Sequence, residues 1–88
     1  MGEQAKAEGT QVGKVMRYFG KVGVAAVVAS GEFSVGDTLH FKGHTTDFEM
    51  VVESMQVNDV SVQKAAAGDE VGIKVPQRVR ERDIVYRK

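Results

Sequence analysis

Residues 31–43 read GEFSVGDTLHFKG, and their spacing decides the fold. From Thr38 to Lys42 the chain alternates: Leu39 and Phe41 point one way, Thr38, His40 and Lys42 the other. A period of two is that of a strand with one buried face. Gly36-Asp37 before it and Gly43 after it supply turns, because glycine accepts positive φ and an aspartate carboxylate hydrogen-bonds nearby backbone.

The pattern recurs outward from this stretch. Val71, Ile73 and Val75 alternate with Gly72 and Lys74, and Pro76 then marks a strand terminus or a sheet edge, since it cannot donate to a ladder. The run VGVAAVVAS (22–30) is apolar at both parities, as in a strand covered on both faces or bending through a barrel. Its valines, and Gly20 and Gly23 at its start, favour strand over helix. In FEMVVESMQV (48–57), Phe48, Met50 and Val52 share one face and Met55 and Val57 the other, which predicts a bulge near Glu53-Ser54. Residues 12–19 and 84–87 bring the total to about seven strands. Only KAAAGDE (64–70) has room for a helical turn. The spacing therefore predicts an all-β domain, a small closed or nearly closed barrel over residues 11–88, with Phe33, Phe41 and Phe48 in or near the core. Residues 1–10 read as a flexible tail. Barrel closure removes the exposed edges that invite intermolecular pairing.

At 88 residues the chain makes one domain with a small core. It has no cysteine, so disulfides and thiolate–metal sites are excluded, in keeping with a cytoplasmic location. No apolar run approaches the roughly 20 residues that span a bilayer, and the first ten residues lack the apolar core of a secretory signal. No membrane association is expected. The net charge is zero but uneven. Residues 45–73 carry six carboxylates against Lys64 alone, while residues 74–88 carry six cations against Glu81 and Asp83.

The motifs for chemistry are sparse. FGKVG (19–23) lacks the spacing and hydroxyl residue of a phosphate-binding loop and reads as a hairpin turn. His40, His44 and Asp47 are the nearest approach to a metal constellation, without a fourth ligand. No serine sits in a nucleophile motif, and no catalytic residue is assigned. QRVRERD (77–83) sets Arg78, Arg80 and Arg82 at period two, which in an extended segment places all three guanidiniums on one face, suited to a phosphate backbone. Aromatic residues are sparse: Tyr18, Phe19 and Tyr86 offer stacking faces but match no RNA-reading signature.

In order along the chain, GKV (13–15), GEFSVGDTLHFKG, VESMQV (52–57), AAGDEVGI (66–73) and RDIVYRK (82–88) resemble the second domain of translational GTPases such as elongation factor Tu and initiation factor 2. The resemblance runs from about Val12 to the end. It implies an antiparallel Greek-key barrel of six to seven strands. A similar barrel occurs as a C-terminal module of U32 peptidase-like proteins, where it carries no catalytic residue. The GTPase domain has no counterpart here, so neither nucleotide binding nor any cofactor is expected. Where elongation factor Tu has an acidic pair near the aminoacyl end of tRNA, this chain has Gly13-Lys14-Val15.

Two functional expectations follow. One is a translation-related module docking on RNA or a ribosome through Lys21, Arg78, Arg80 and Arg82. The other is a subunit that docks on a separate protein, like the U32 accessory barrel, through Val22 to Ala29 or an edge near Pro76.

Overall fold

The computed structural model describes residues 9–88, and every regular element in them is a strand. The strands are β1 (Thr10–Phe19), β2 (Val24–Ala29), β3 (Phe33–Ser34), β4 (Thr38–Lys42), β5 (Asp47–Val51), β6 (Met55–Val57), β7 (Val60–Ser61), β8 (Lys64–Ala65), β9 (Glu70–Lys74) and β10 (Ile84–Arg87). Eight of them form one antiparallel sheet in the order β5-β4-β10-β1-β2-β9-β6-β7, and β3 pairs with β8 in a separate ribbon. The fold is an all-β antiparallel barrel in which the last strand returns to fill the gap between β1 and β4. The expected tail lies outside the described residues as far as residue 8, and Thr10 already pairs with Arg87.

The alternation seen in the sequence becomes the core. Leu39 and Phe41 are fully buried on β4, Val71 and Ile73 on β9, and Ala25, Val27 and Ala29 on β2. Phe41 stacks on its cross-strand neighbour Phe48, with ring centroids 5.2 Å apart. Removing a buried phenylalanine costs about 3–5 kcal/mol, a large share of the roughly 5–15 kcal/mol by which a domain is stable.

Three corners share one construction. In Ser34–Asp37, Ala66–Asp69 and Arg80–Asp83, the backbone N–H of the last residue donates to the carbonyl of the first, at 3.0, 3.0 and 3.1 Å. The first residue's N–H in turn donates to the aspartate Oδ2, at 2.8, 3.0 and 2.9 Å. The third residue has positive φ: Gly36 at 97°, Gly68 at 95° and Arg82 at 77°. The KAAAGDE segment is therefore the short strand β8, a corner and the first residue of β9, with no helical turn.

The first corner closes the barrel. Gly36 N–H donates to Val52 O (2.9 Å) and Val52 N–H to Asp37 O (3.0 Å), just beyond β5 at one edge of the sheet. Val35 N–H reaches Gln63 O (2.9 Å), just beyond β7 at the other edge.

Two expectations change in detail. Residues 52–54 are a break, not a bulge: β5 pairs with β4 while β6 pairs with β9 and β7, so the parity change marks a passage between separate parts of the barrel. The register shifts lie instead in β1, between Gln11 and Gly13 and between Val15 and Arg17. Pro76 follows the end of β9 at Lys74, the strand terminus that was one of its two readings, and the edge reading falls because β9 is paired on both sides.

Gly43 packs against the buried Asp83, whose carboxylate occupies the space a Cβ would need. Gly43→Ala should destabilise by about 1–3 kcal/mol, the usual cost of overpacking. Arg82→Gly should relieve about 1–2 kcal/mol of left-handed strain, set against about 0.5–1 kcal/mol for added unfolded-state freedom. The net expectation is a small gain, whereas Arg82→Ala gives none. Chemical denaturation of the three variants checks both predictions, and a gain in Arg82→Ala equal to that in Arg82→Gly would refute the strain account.

Candidate functional site

The irregularity in β1 shapes the surface. Val15 is buried opposite Val27, but the register then slips, so Met16 and Arg17 both emerge before Tyr18 turns partly inward opposite Ala25. A bulge exposes two consecutive side chains in this way because one residue goes unpaired. Phe19 follows outward opposite Val24, and the hairpin tip Gly20–Gly23 begins.

The outcome is an apolar patch on the outside of β1 and β2. Met16 is 52% exposed, Phe19 45% and Val22 56%, although all three are large and apolar. Between them Ala26 faces Gly72 across the β2–β9 pair, so two small residues leave a dip in the sheet. The dip, with Val22, Ala26 and Gly72 in its lining, belongs to a depression of about 500 Å³, and on its β1 side Met16, Arg17, Phe19, Ala26, Val27 and Glu70 line a neighbouring one of about 260 Å³. The arginine leans over the patch, with its guanidinium carbon 5.9 Å from the centre of the Phe19 ring. This bears on the run 22–30. Its inner residues are buried as expected, but nothing in the described chain covers Val24, Ala26 and Val28 fully on the other side.

Arg17 also borders a second depression, of about 460 Å³, shared with Tyr18, Arg78, Val79, Arg80 and Glu81. The expected arginine row is corrected here. Arg78 and Arg80 flank the buried Val79 and are exposed as an extended segment requires. At Arg80 the chain enters a corner, and the positive φ of Arg82 takes it out of the row. Arg82 and Lys21 are absent from this lining. Lys21 sits exposed in the hairpin tip, which reaches the start of the arginine segment through a hydrogen bond from Val75 N–H to Gly23 O (2.9 Å). Arg17 was not singled out in the sequence, because only the fold brings β1 beside residues 78–80.

The opposite face is charged and self-paired. His40 Nε2 donates to Asp47 Oδ1 (2.6 Å), Lys42 Nζ reaches Asp47 Oδ2 (3.4 Å), and Lys88 Nζ donates to Glu49 Oε2 (2.7 Å). Asp47 and Glu49 lie on β5, so these pairs place charge along an edge strand. His44 is exposed in the following loop, and among the described residues no group of three or more His, Asp or Glu could hold a metal ion. No helix among them is long and apolar enough to cross a membrane.

Comparison with known proteins gives the following. No family model matches the chain. An uncharacterized protease of Methanocaldococcus jannaschii is 38% identical over 86 residues, which cover 97% of this chain and 21% of that protein. A collagenase of Porphyromonas gingivalis is 38% identical over 80 residues, covering 89% and 22%. The chain thus spans about a fifth of the length of the curated relatives it matches. Among solved structures, the C-terminal domain of a U32 peptidase of Geobacillus thermoleovorans superposes with a TM-score of 0.84 at 23% identity, over 90% of this chain and 92% of that one. Its selenomethionine form gives 0.82 at 26% identity, over 89% and 98%. A bacterial selenocysteine-specific elongation factor gives 0.71 at 21% identity, matching 15% of its chain. The fold is shared with both expected groups, and the sequence relatives fall on the peptidase side.

Hydrogen bonding from His40 holds the Asp47 carboxyl below the ordinary aspartate value, with Lys42 adding to the effect and desolvation opposing it. Lys88 does the same for Glu49. For carboxylates depressed in the folded state, the stabilisation is present above the ordinary value and is lost as pH falls through the depressed one. Carboxyl-carbon NMR titration should place both residues below their ordinary values, and His40→Asn should move Asp47 upward. An Asp47 curve unchanged by that substitution would show that His40 does not hold it.

Proposed function

We propose that this barrel is a non-catalytic protein-interaction module that docks on a peptidase-like catalytic body. The observation that carries the reading is the exposed Met16, Phe19 and Val22 patch beside the Ala26–Gly72 dip. Large apolar side chains clustered on an outer sheet face, with a concavity between them, suit a partner surface. The relatives support this choice: they are larger proteins named as proteases, of which this chain matches about a fifth. The barrel's likeness to a U32 peptidase C-terminal domain supports it from the side of the fold. Translation-related RNA docking is the weaker reading. Of its four cations, Arg78 and Arg80 line the depression beside Arg17, and the match to a selenocysteine-specific elongation factor is a fold likeness.

The interaction would rest on a few buried anchors, with Phe19 first among them. A photo-cross-linking residue placed at Val22 in the full chain should capture a peptidase-like protein in the native host, and the same residue at Lys64 should not. Burying one aromatic contributes about 1.5–3 kcal/mol, so Phe19→Asp should weaken capture by about tenfold or more. Capture that disappears on RNase treatment, or no capture at Val22, would reject the proposal.

A further inference from the structure

The apolar patch and the arginine depression are one surface. Arg17 lines both, and β1 supplies Met16, Arg17, Tyr18 and Phe19 to it in succession. Methionine, arginine, tyrosine and phenylalanine are the types enriched at the cores of protein interfaces, and here four consecutive residues provide all of them.

The cationic half is held rigidly. Val79 is buried and pegs the segment between Arg78 and Arg80. Arg82 N–H donates to Val15 O and Val15 N–H to Asp83 O, both at 2.8 Å, so the corner is tied to β1 two residues before Arg17. The buried Asp83 carboxylate is taken up by the Arg80 backbone N–H, which leaves the guanidiniums outside. Among the described residues, Arg17, Arg78 and Arg80 form no ion pair. Non-glycine residues held at positive φ occur where the surrounding structure over-determines them, often beside binding surfaces. Arg82 is such a residue, in a corner whose two counterparts use glycine.

Resting on the docking reading above, we infer that the partner segment is acidic and amphipathic. Its aliphatic side chains would cover Met16, Phe19, Val22 and Ala26, and its carboxylates would meet Arg17, Arg78 and Arg80. Guanidinium forks pair with carboxylates in bidentate geometry, and fixed backbone lowers the ordering cost of doing so. A phosphodiester strand satisfies the surface less well. It leaves the apolar half around Met16, Phe19 and Ala26 uncovered, where an amphipathic peptide places its aliphatic side chains.

The test uses a short leucine–glutamate peptide, its leucine–lysine counterpart and a short oligouridine, each titrated into the labelled full chain and followed by backbone NMR. The acidic peptide should shift the amides of residues 16–19 and 78–80 and bind at least about tenfold more tightly than the basic one. The double variant Arg78→Glu/Arg80→Glu, both positions exposed, should lose about tenfold, while Arg82→Glu should stay within about twofold. Equal binding of the two peptides, or tighter binding of oligouridine at the same amides, would overturn the inference. The photo-cross-linking experiment separates it from the reading it rests on. Partner capture undiminished in the double variant overturns the acidic preference alone. Peptide discrimination without any capture at Val22 overturns the docking reading and leaves the acidic preference standing.

Discussion

The barrel depends on what the Ser34–Asp37 corner holds together. An eight-stranded sheet of short strands has two edges, and this corner bonds just beyond both: to Val52 after β5 and to Gln63 after β7. Its own shape comes from two local facts, a glycine at positive φ and an aspartate carboxylate that accepts the Ser34 N–H. Phe33 before the corner and Leu39 after it then both enter the core. A buried N–H without a partner costs about 1–3 kcal/mol, so the carboxylate matters beyond the single bond it makes. The same device recurs at residues 66–69 and 80–83, and between them the three corners turn the chain into β4, β9 and β10.

Much of this was legible because glycine, aspartate and alternation are local signals. Gly36-Asp37 announces the first corner, and Leu39, Phe41, Val71 and Ile73 announce their inward faces, whereas the corner at Gly68-Asp69 lay in a segment whose alanines suggested a helical turn. The third corner was hidden, because Arg82 at positive φ has no signature and its place in a run of alternate arginines suggests straight chain. The break at residues 52–54 and a bulge near Glu53 produce the same parity change, and only the identity of the pairing strands separates them. The β1 register slip between Val15 and Arg17 left no mark either, since VMRYF reads as ordinary alternation until Met16 and Arg17 are both found outside. The surface around Arg17 was illegible for a further reason: it joins residues some sixty positions apart.

The two outer faces follow different physical rules. On the β4–β5 side, Asp47 and Glu49 already have cationic or imidazole partners within the chain, so a charged visitor would have to compete with them. On the β1–β2 side the arginines have no such partners among the described residues, and apolar side chains beside them are exposed. Burial of that apolar surface would supply most of the affinity, and the charges would set orientation and choice of partner.

The pairing of Thr10 with Arg87 has a mechanical consequence. These residues begin β1 and end β10, neighbouring antiparallel strands whose hydrogen bonds run across the strand direction. Tension applied through both ends of the barrel would load those bonds one at a time, as in a zipper, instead of shearing a whole ladder at once. Met16 to Phe19 lie at the far end of β1, about 20–30 Å along the strand at its usual rise per residue, so peeling would begin well away from the exposed patch.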